Sequence, residues 1–288
     1  MDSTSLTTSF GDLPGEYSNL RGARIVIVPV PYDQTSTWIK GADKGPAAII
    51  EASTNMELYD IETDCEVYRK GIFTADALKV GGLLPEDMIE MVTEEVRHYI
   101  EKEKFTVVVG GEHSVSIGSI RAHAENNKDI TVLQLDAHSD LRNEYNGSKY
   151  NHACVMARVR EACPIVQVGI RSMDSSEKEF IDRGRVFFAE DIHNRTDWIN
   201  EAVGKLSKKV YITIDLDVFD PSIMPSTGTP EPGGLLWYDV LRLLKTVSDK
   251  KDIVGFDVVE LCPNEKNKAP DFLAAKLIYK MLSYKFRD

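Results

Sequence analysis

Cysteine is scarce: four residues in 288, with no two spaced as a CxxC pair. Cys65, Cys154, Cys163 and Cys262 therefore read as reduced thiols in a cytosolic chain, small apolar side chains suited to an interior rather than partners in disulfides. Basic residues are also in deficit. Lys plus Arg number 34 against 46 Asp plus Glu, a net charge of −12. Without a basic excess to neutralise phosphates, nucleic acid and anionic membrane are excluded as partners, whereas a cationic substrate or a metal ion suits the sign. No apolar run approaches the ~20 residues needed to cross a bilayer. The opening stretch "MDSTSLTTSFGDLPG" has neither a basic flank nor an apolar core, so no signal peptide is expected and the localisation is read as cytoplasmic. Linkers, repeats and low-complexity segments are missing too. The expectation is one domain over residues 1–288, with a Ser/Thr/Gly-rich N-terminal arm at 1–20, loose or wrapping.

What is present is a regular alternation. Eight apolar, β-branched runs occur at 24–31, 71–75, 105–111, 130–138, 165–170, 186–190, 210–219 and 253–261. Several are nearly continuous Val, Ile and Leu, as parallel strands covered on both faces require. Amphipathic stretches lie between them. In 85–103, Met88, Met91, Val92, Val96, Tyr99 and Ile100 form one stripe at helical spacing, and Pro85 with Glu86 and Asp87 suits a helix start. Residues 237–249 and 270–286 behave similarly. The order predicts an α/β protein with one open, mostly parallel sheet and helices on both faces. In such sheets ligands sit outside the carboxyl ends of the strands.

Polar residues gather at four of those ends. "VVVGGEHS" presents Glu112 and His113, and "VLQLDAHSD" presents Asp136, His138 and Asp140. "YITIDLDVFDPS" presents Asp215, Asp217 and Asp220, and "GFDVVELCP" presents Asp257 and Glu260. While the chain stays extended, alternation aims Asp136, His138 and Asp140 one way, and likewise Asp215 with Asp217. A lone strand-end aspartate is ordinarily a cap or turn residue. Of only six histidines, His98, His123 and His193 lie on helical or loop segments without such company and read as uninvolved. Several converging carboxylates are different, because they cannot be buried without a compensating cation. Arg142 is the nearest basic residue and lies just outside the motif. Bound metal is the economical answer. A carboxylate-rich set with imidazole and no thiolate favours Mn²⁺ or another octahedral divalent ion over structural zinc, and so many ligands suit two ions about 3.5–4 Å apart.

These motifs, in this order, resemble the ureohydrolase family, the arginases and agmatinases. "GGEHS", "DAHSD", "HACVMARV" and "ITIDLDVFDPSIMPSTGTPEPGG" carry the likeness, joined by "KGPAAI" at 44–49, "QVGIRS" at 167–172 and "DVVEL" at 257–261, over about residues 24 to 288. The resemblance implies a three-layer α/β/α sandwich with a largely parallel eight-stranded sheet, and two Mn²⁺ per chain. One would be held by His113, Asp136, Asp140 and Asp215, the other by Asp136, His138, Asp215 and Asp217, with Asp136 and Asp215 bridging. It further implies that Glu260 pairs with the substrate guanidinium, that His152 in "KYNHA" shuttles protons, and that Asp140 passes a proton to the leaving amine. Glu112 stands where the family pattern has an aspartate, at a position that is not a ligand.

"DAHSDLRNEYNGSKYNHACVMARV" resembles bacterial and archaeal agmatinases more than arginases, since Leu141, Arg142 and Asn143 replace the arginase pattern after the motif. The expected substrate is thus a small cationic guanidino compound, agmatine, giving urea and putrescine, and the expected assembly a homo-oligomer, trimer or hexamer. Other ureohydrolases remain open: arginase, guanidinobutyrase, guanidinopropionase or formiminoglutamase. So does a carboxylate-tailed substrate held by Arg142 or Lys149. Outside the family stand a single-zinc deacetylase-like enzyme, for which Asp140 and His113 are surplus, and an inactive binding protein.

Overall fold

The computed structural model describes residues 8–287 apart from Asn194 and Thr196. All eight runs form strands: β1 Ile25–Val30, β2 Ile72–Thr74, β3 Phe105–Gly110, β4 Ile130–Leu135, β5 Ile165–Ile170, β6 Val186–Phe188, β7 Lys209–Asp215 and β8 Asp252–Val259. They build one sheet in the order β2-β1-β3-β8-β7-β4-β5-β6, with every neighbouring pair parallel. Parallel neighbours need crossovers, and the intervening helices supply them on both faces.

Alternation along the strands feeds two cores. Ile25, Ile27, Val107, Val109, Leu133 and Leu135 face one side, where helices Gly45–Ser53, Trp237–Lys250 and Ala269–Phe286 pack. Val26, Val28, Val108, Ile130 and Val132 face the other, under Pro85–Glu101 and Val115–Asn126. This is the expected α/β/α sandwich. The expected stripe on Pro85–Glu101 buries Met88, Val92, Val96 and Tyr99, with Pro85 at its start. Among the described residues no helix is long and apolar enough to cross a membrane.

One expectation is narrowed and one corrected. Residues 1–7 of the N-terminal arm lie outside the described residues; from residue 8 on the segment follows the wrapping alternative and is docked on the domain. Phe10 is fully buried, its N–H donates to Thr74 Oγ1 at 2.9 Å, and Gly11 N–H donates to Ser53 Oγ at 2.8 Å. The strands that carry the polar clusters are also shorter than their apolar runs. β4 stops at Leu135 and β7 at Asp215, so the clusters lie on turns.

Candidate metal centre

The four strands whose ends bear the polar clusters, β3, β8, β7 and β4, are consecutive neighbours at the middle of the sheet. Convergence therefore comes from sheet order, and turns rather than strand alternation aim the side chains. After β3, Gly111 passes so close to the chain of β1 that a Cβ there would sit 2.0 Å from the Tyr32 carbonyl oxygen. Only glycine fits, and the tight passage delivers His113 just ahead of helix Val115–Asn126. After β4, a bridge between His138 and Ser172 holds the chain, and Asp140 adopts a left-handed φ of 52°. After β7, the N–H of Asp217 donates back to Asp215 Oδ1 at 2.9 Å, folding both carboxylates into one turn. Glu260 follows β8 at φ 67°, its N–H held by the Gly111 carbonyl at 2.7 Å. Left-handed backbone costs a non-glycine residue roughly 1–2 kcal/mol and gathers where a side chain must be aimed.

His113 Nδ1 lies 3.1 Å from Asp136 Oδ2, 3.1 Å from Asp140 Oδ2 and 3.4 Å from Asp215 Oδ2. It is a buried nitrogen without a hydrogen-bond partner, surrounded by carboxylate oxygens. His138 Nδ1 lies 2.9 Å from Asp217 Oδ2 and 3.7 Å from Asp136 Oδ1. Ligand atoms of His113, Asp136 and Asp140 all fall within 4.8 Å of one another, as do those of Asp136, His138 and Asp217. Asp136 belongs to both triads. Burial lifts Asp136 to about 7 and Asp215 well above the carboxylate range, with the facing aspartates adding to both. Burial would also lift Asp217, but the charge of His138 overrides it and leaves about 2. Burial opposes charge on His113 and His138 as well, yet the surrounding aspartates hold both imidazoles protonated far above their ordinary range. Such a cluster gathers protons in the place of a cation. An orphaned imidazole nitrogen among carboxylates, with no thiolate, fits one or more divalent metal ions.

A second layer fixes these groups. His113 Nε2 meets Thr213 Oγ1 at 2.9 Å, and Thr213 donates to Asp257 Oδ1 at 2.6 Å. The hydroxyl proton is thus committed to Asp257. Thr213 accepts from His113 Nε2–H, so Nδ1 is the nitrogen turned to the cluster, and its lone pair becomes available when a metal ion takes the place of its proton. Gln134 Nε2 donates to Asp136 Oδ2 at 2.7 Å, and Gln167 donates to Gln134 Oε1 at 2.6 Å. Sequence reasoning missed Thr213, Gln134 and Gln167. The available signal was a polar residue inside a run otherwise apolar enough to be buried on both faces. Two strand-end aspartates do not enter the cluster. Asp257 takes hydroxyl donors from Thr213 and Tyr211, and Asp220 binds the N–H groups of Ser222, Gly233 and Gly234 to shape a loop. His123 is away from the site as expected, but it has a partner: it is buried, 2.9 Å from Thr106 Oγ1.

Above the cluster opens a cavity of about 310 Å³, lined by His113, His138, Asp140, Asp215, Asp217, His152 and Glu260 and, farther out, by Trp38, Ile39, Tyr145, Met173 and Asp174. Glu260 Oε1 accepts the His113 N–H at 2.7 Å. Burial first, then the charge of Glu112, raises its carboxyl to about 8. Burial holds His152 below the ordinary imidazole range, against the pull of Asp140 and Glu112. Arg142 is the one Lys or Arg among the described lining residues. Its guanidinium lies 3.7 Å from Asp174 and 3.6 Å from Glu177 and stacks on Tyr145. Lys149 is exposed and does not line the cavity. All four cysteines are free.

A model of the arginase family matches residues 23–283. A protein named N(1)-aminopropylagmatine ureohydrolase from Synechocystis sp. is 39% identical over 91% of this chain and 89% of its own. Among solved structures, the agmatine ureohydrolase of Thermoplasma volcanium superposes with a TM-score of 0.83 at 33% identity, covering 95% of this chain and 94% of that one. The proclavaminate amidino hydrolase from Streptomyces clavuligerus gives 0.88 at 29%, covering 97% of each.

Proposed function

The chain belongs to the arginase family and is a ureohydrolase, a hydrolase of amidine C–N bonds, and from that premise we propose that its substrate is agmatine, cleaved to urea and putrescine with the help of two manganese ions. The observation that carries this reading is the pair of His/Asp triads sharing Asp136 at the floor of a cavity whose one arginine among the described lining residues is already engaged by Asp174 and Glu177. His113, Asp136, Asp140 and Asp215 would hold one ion, and Asp136, His138, Asp215 and Asp217 the other. When bound, the ions supply Lewis-acid activation of the attacking water.

The chain's own groups do the rest. Glu260, anchored by the His113 N–H, accepts a charge-assisted pair from the cationic guanidinium and holds its carbon in place. Asp140 transfers a proton to the leaving amine, and His152 returns one from solvent. With Arg142 paired and Lys149 outside, a substrate α-carboxylate would find no unpaired Lys or Arg among the described lining residues, while the surrounding carboxylates favour a cationic tail.

A second reading lengthens that tail. The Synechocystis relative is named for N(1)-aminopropylagmatine, and Asp174, half-buried in the cavity wall, would exchange its 3.7 Å pairing with Arg142 for a further ammonium. Urea release from agmatine, N(1)-aminopropylagmatine, arginine and guanidinobutyrate, compared side by side, is the test. Expected is a kcat/KM for one of the first two at least about a hundredfold above that for arginine, roughly 2.7 kcal/mol of discrimination. The ratio of the first two chooses between the readings. Preference for arginine or guanidinobutyrate would overturn the tail assignment while leaving the family in place.

A further inference from the structure

Glu112 is fully buried, precedes His113, and belongs to neither triad. No lysine or arginine pairs with it among the described residues. A carboxylate in that position needs donors, and most of them come from one segment. Its Oε2 accepts the N–H groups of Thr35 at 2.6 Å and Ser36 at 3.0 Å, and its Oε1 accepts the Thr35 hydroxyl at 2.6 Å. Ser114 Oγ adds a bond at 2.6 Å. Glu112 thus pins residues 35–36, at the root of the loop that brings Trp38 and Ile39 to the cavity.

The consequence runs through Thr35. Its single hydroxyl proton goes to Glu112, so its oxygen is left as an acceptor. That oxygen receives the His152 backbone N–H at 3.0 Å and meets His152 Nδ1 at 3.1 Å. An oxygen with no proton left to give can only accept, so Nδ1 must carry the ring proton. His152 Nε2 then keeps its lone pair. We propose that Glu112 and Thr35 are positioning residues for His152: Glu112 orients the Thr35 hydroxyl, and Thr35 fixes both the place of the His152 ring and the tautomer with Nε2 free to take a proton. The proposal rests on the reading of His152 as the proton carrier.

The test measures steady-state urea release from agmatine, with the solvent deuterium isotope effect on kcat, for the metal-loaded enzyme. His152→Ala comes first: unchanged kcat would remove the proton-carrier reading itself. Given a loss there, Thr35→Val should lower kcat about tenfold to a hundredfold, within the range for a mispositioned acid–base group. KM should stay within about twofold, and the isotope effect should rise as proton transfer becomes limiting. Thr35→Ser, which keeps the hydroxyl, should restore kcat to within about threefold. Glu112→Gln keeps the size, but its carbonyl oxygen must stay with the Thr35 and Ser36 N–H groups, so its NH₂ donates to Thr35 Oγ1 and turns the hydroxyl proton toward His152 Nδ1; kcat should fall about as far as in Thr35→Val, with the same isotope signature. If Thr35→Val does not fold, Thr35→Ser and Glu112→Gln decide alone. A wild-type isotope effect in Glu112→Gln, or a Thr35→Ser enzyme as slow as His152→Ala, overturns the proposal.

Discussion

With the cationic substrate bound, replacing Glu260 by Gln removes one charge and almost no volume. The geometry sets how the new amide must lie. Glu260 is 9% exposed, and its Oε1 accepts the His113 N–H at 2.7 Å. A glutamine must keep its carbonyl oxygen there, since turning the NH₂ toward that N–H would oppose two donors. The NH₂ is then left facing a guanidinium, which has only donors to offer. The substitution therefore removes an ion pair and leaves a donor facing donors. Neutralising one partner of a buried, hydrogen-bonded charge pair costs about 2–5 kcal/mol, which is roughly one and a half to three and a half decades in rate. We expect kcat/KM for agmatine to fall at least about thirtyfold. Metal content per chain should be unchanged, because the His113 N–H keeps its acceptor and the triads keep their atoms. Urea release at saturating and limiting agmatine, alongside elemental analysis of the same preparation, measures both quantities. A loss below about tenfold would show that another acid holds the cation; a loss of metal would show that Glu260 acts on the cluster instead.

Asp136→Asn should lose metal from both triads, whereas Asp217→Asn should retain the ion near His113; metal per chain after dialysis separates the two. Chelation should lower the Tm, and metal restored at about a hundred times its Kd should return about 2.7 kcal/mol of stability; a Tm indifferent to chelator would speak against any resident ion. Gly111→Ala drives a Cβ to 2.0 Å from the Tyr32 carbonyl, so the turn must open, and both stability and metal content should drop; an unchanged melting curve would refute the close approach. His123 gives a pH signature. Burial lowers its folded-state pKa to about 3, below the unfolded value near ~6.5. As pH falls between those values the unfolded chain binds a proton that the folded chain refuses, so stability present above about 6.5 is lost toward 3, at up to about 1.4 kcal/mol per pH unit. Denaturant midpoints for His123→Gln should depend less steeply on pH across that window, and a slope equal to the wild type would contradict this.

The sheet was readable from sequence because strands buried on both faces carry long β-branched runs, and "FTVVVG" or "ITVLQL" admits little else. Their ends were not. Asp136 to Asp140 continue an apolar run on paper, but Asp140 turns left-handed, and no pattern of residue types announces that. The first layer of the site was legible because charge placed directly after an apolar run is rare and demands a reason. The supporting layer was not, because it depends on which distant segments meet. Thr35 is 77 residues from Glu112 and 117 from His152, and it is an ordinary loop threonine until all three are together.

The order of the sheet also sets a timetable. The two strands made last, β7 and β8, occupy the middle, between β4 and β3. A chain that has left the ribosome only as far as β6 can pair β2-β1-β3 and β4-β5-β6 as two separate blocks. Each block then has one bare edge where a final strand belongs, and a bare edge is a template for mispairing with another chain. Closing the gap needs pairings remote in sequence, which form slowly. Newborn chains should therefore gain protease resistance in one late step, when β8 clears the exit tunnel, and that step is also when the three strand ends that carry the candidate ligands, those of β3, β4 and β7, are first locked together beside Glu260. Stalled chains of increasing length, probed by proteolysis, would reveal a gradual rise instead if the two blocks were stable alone.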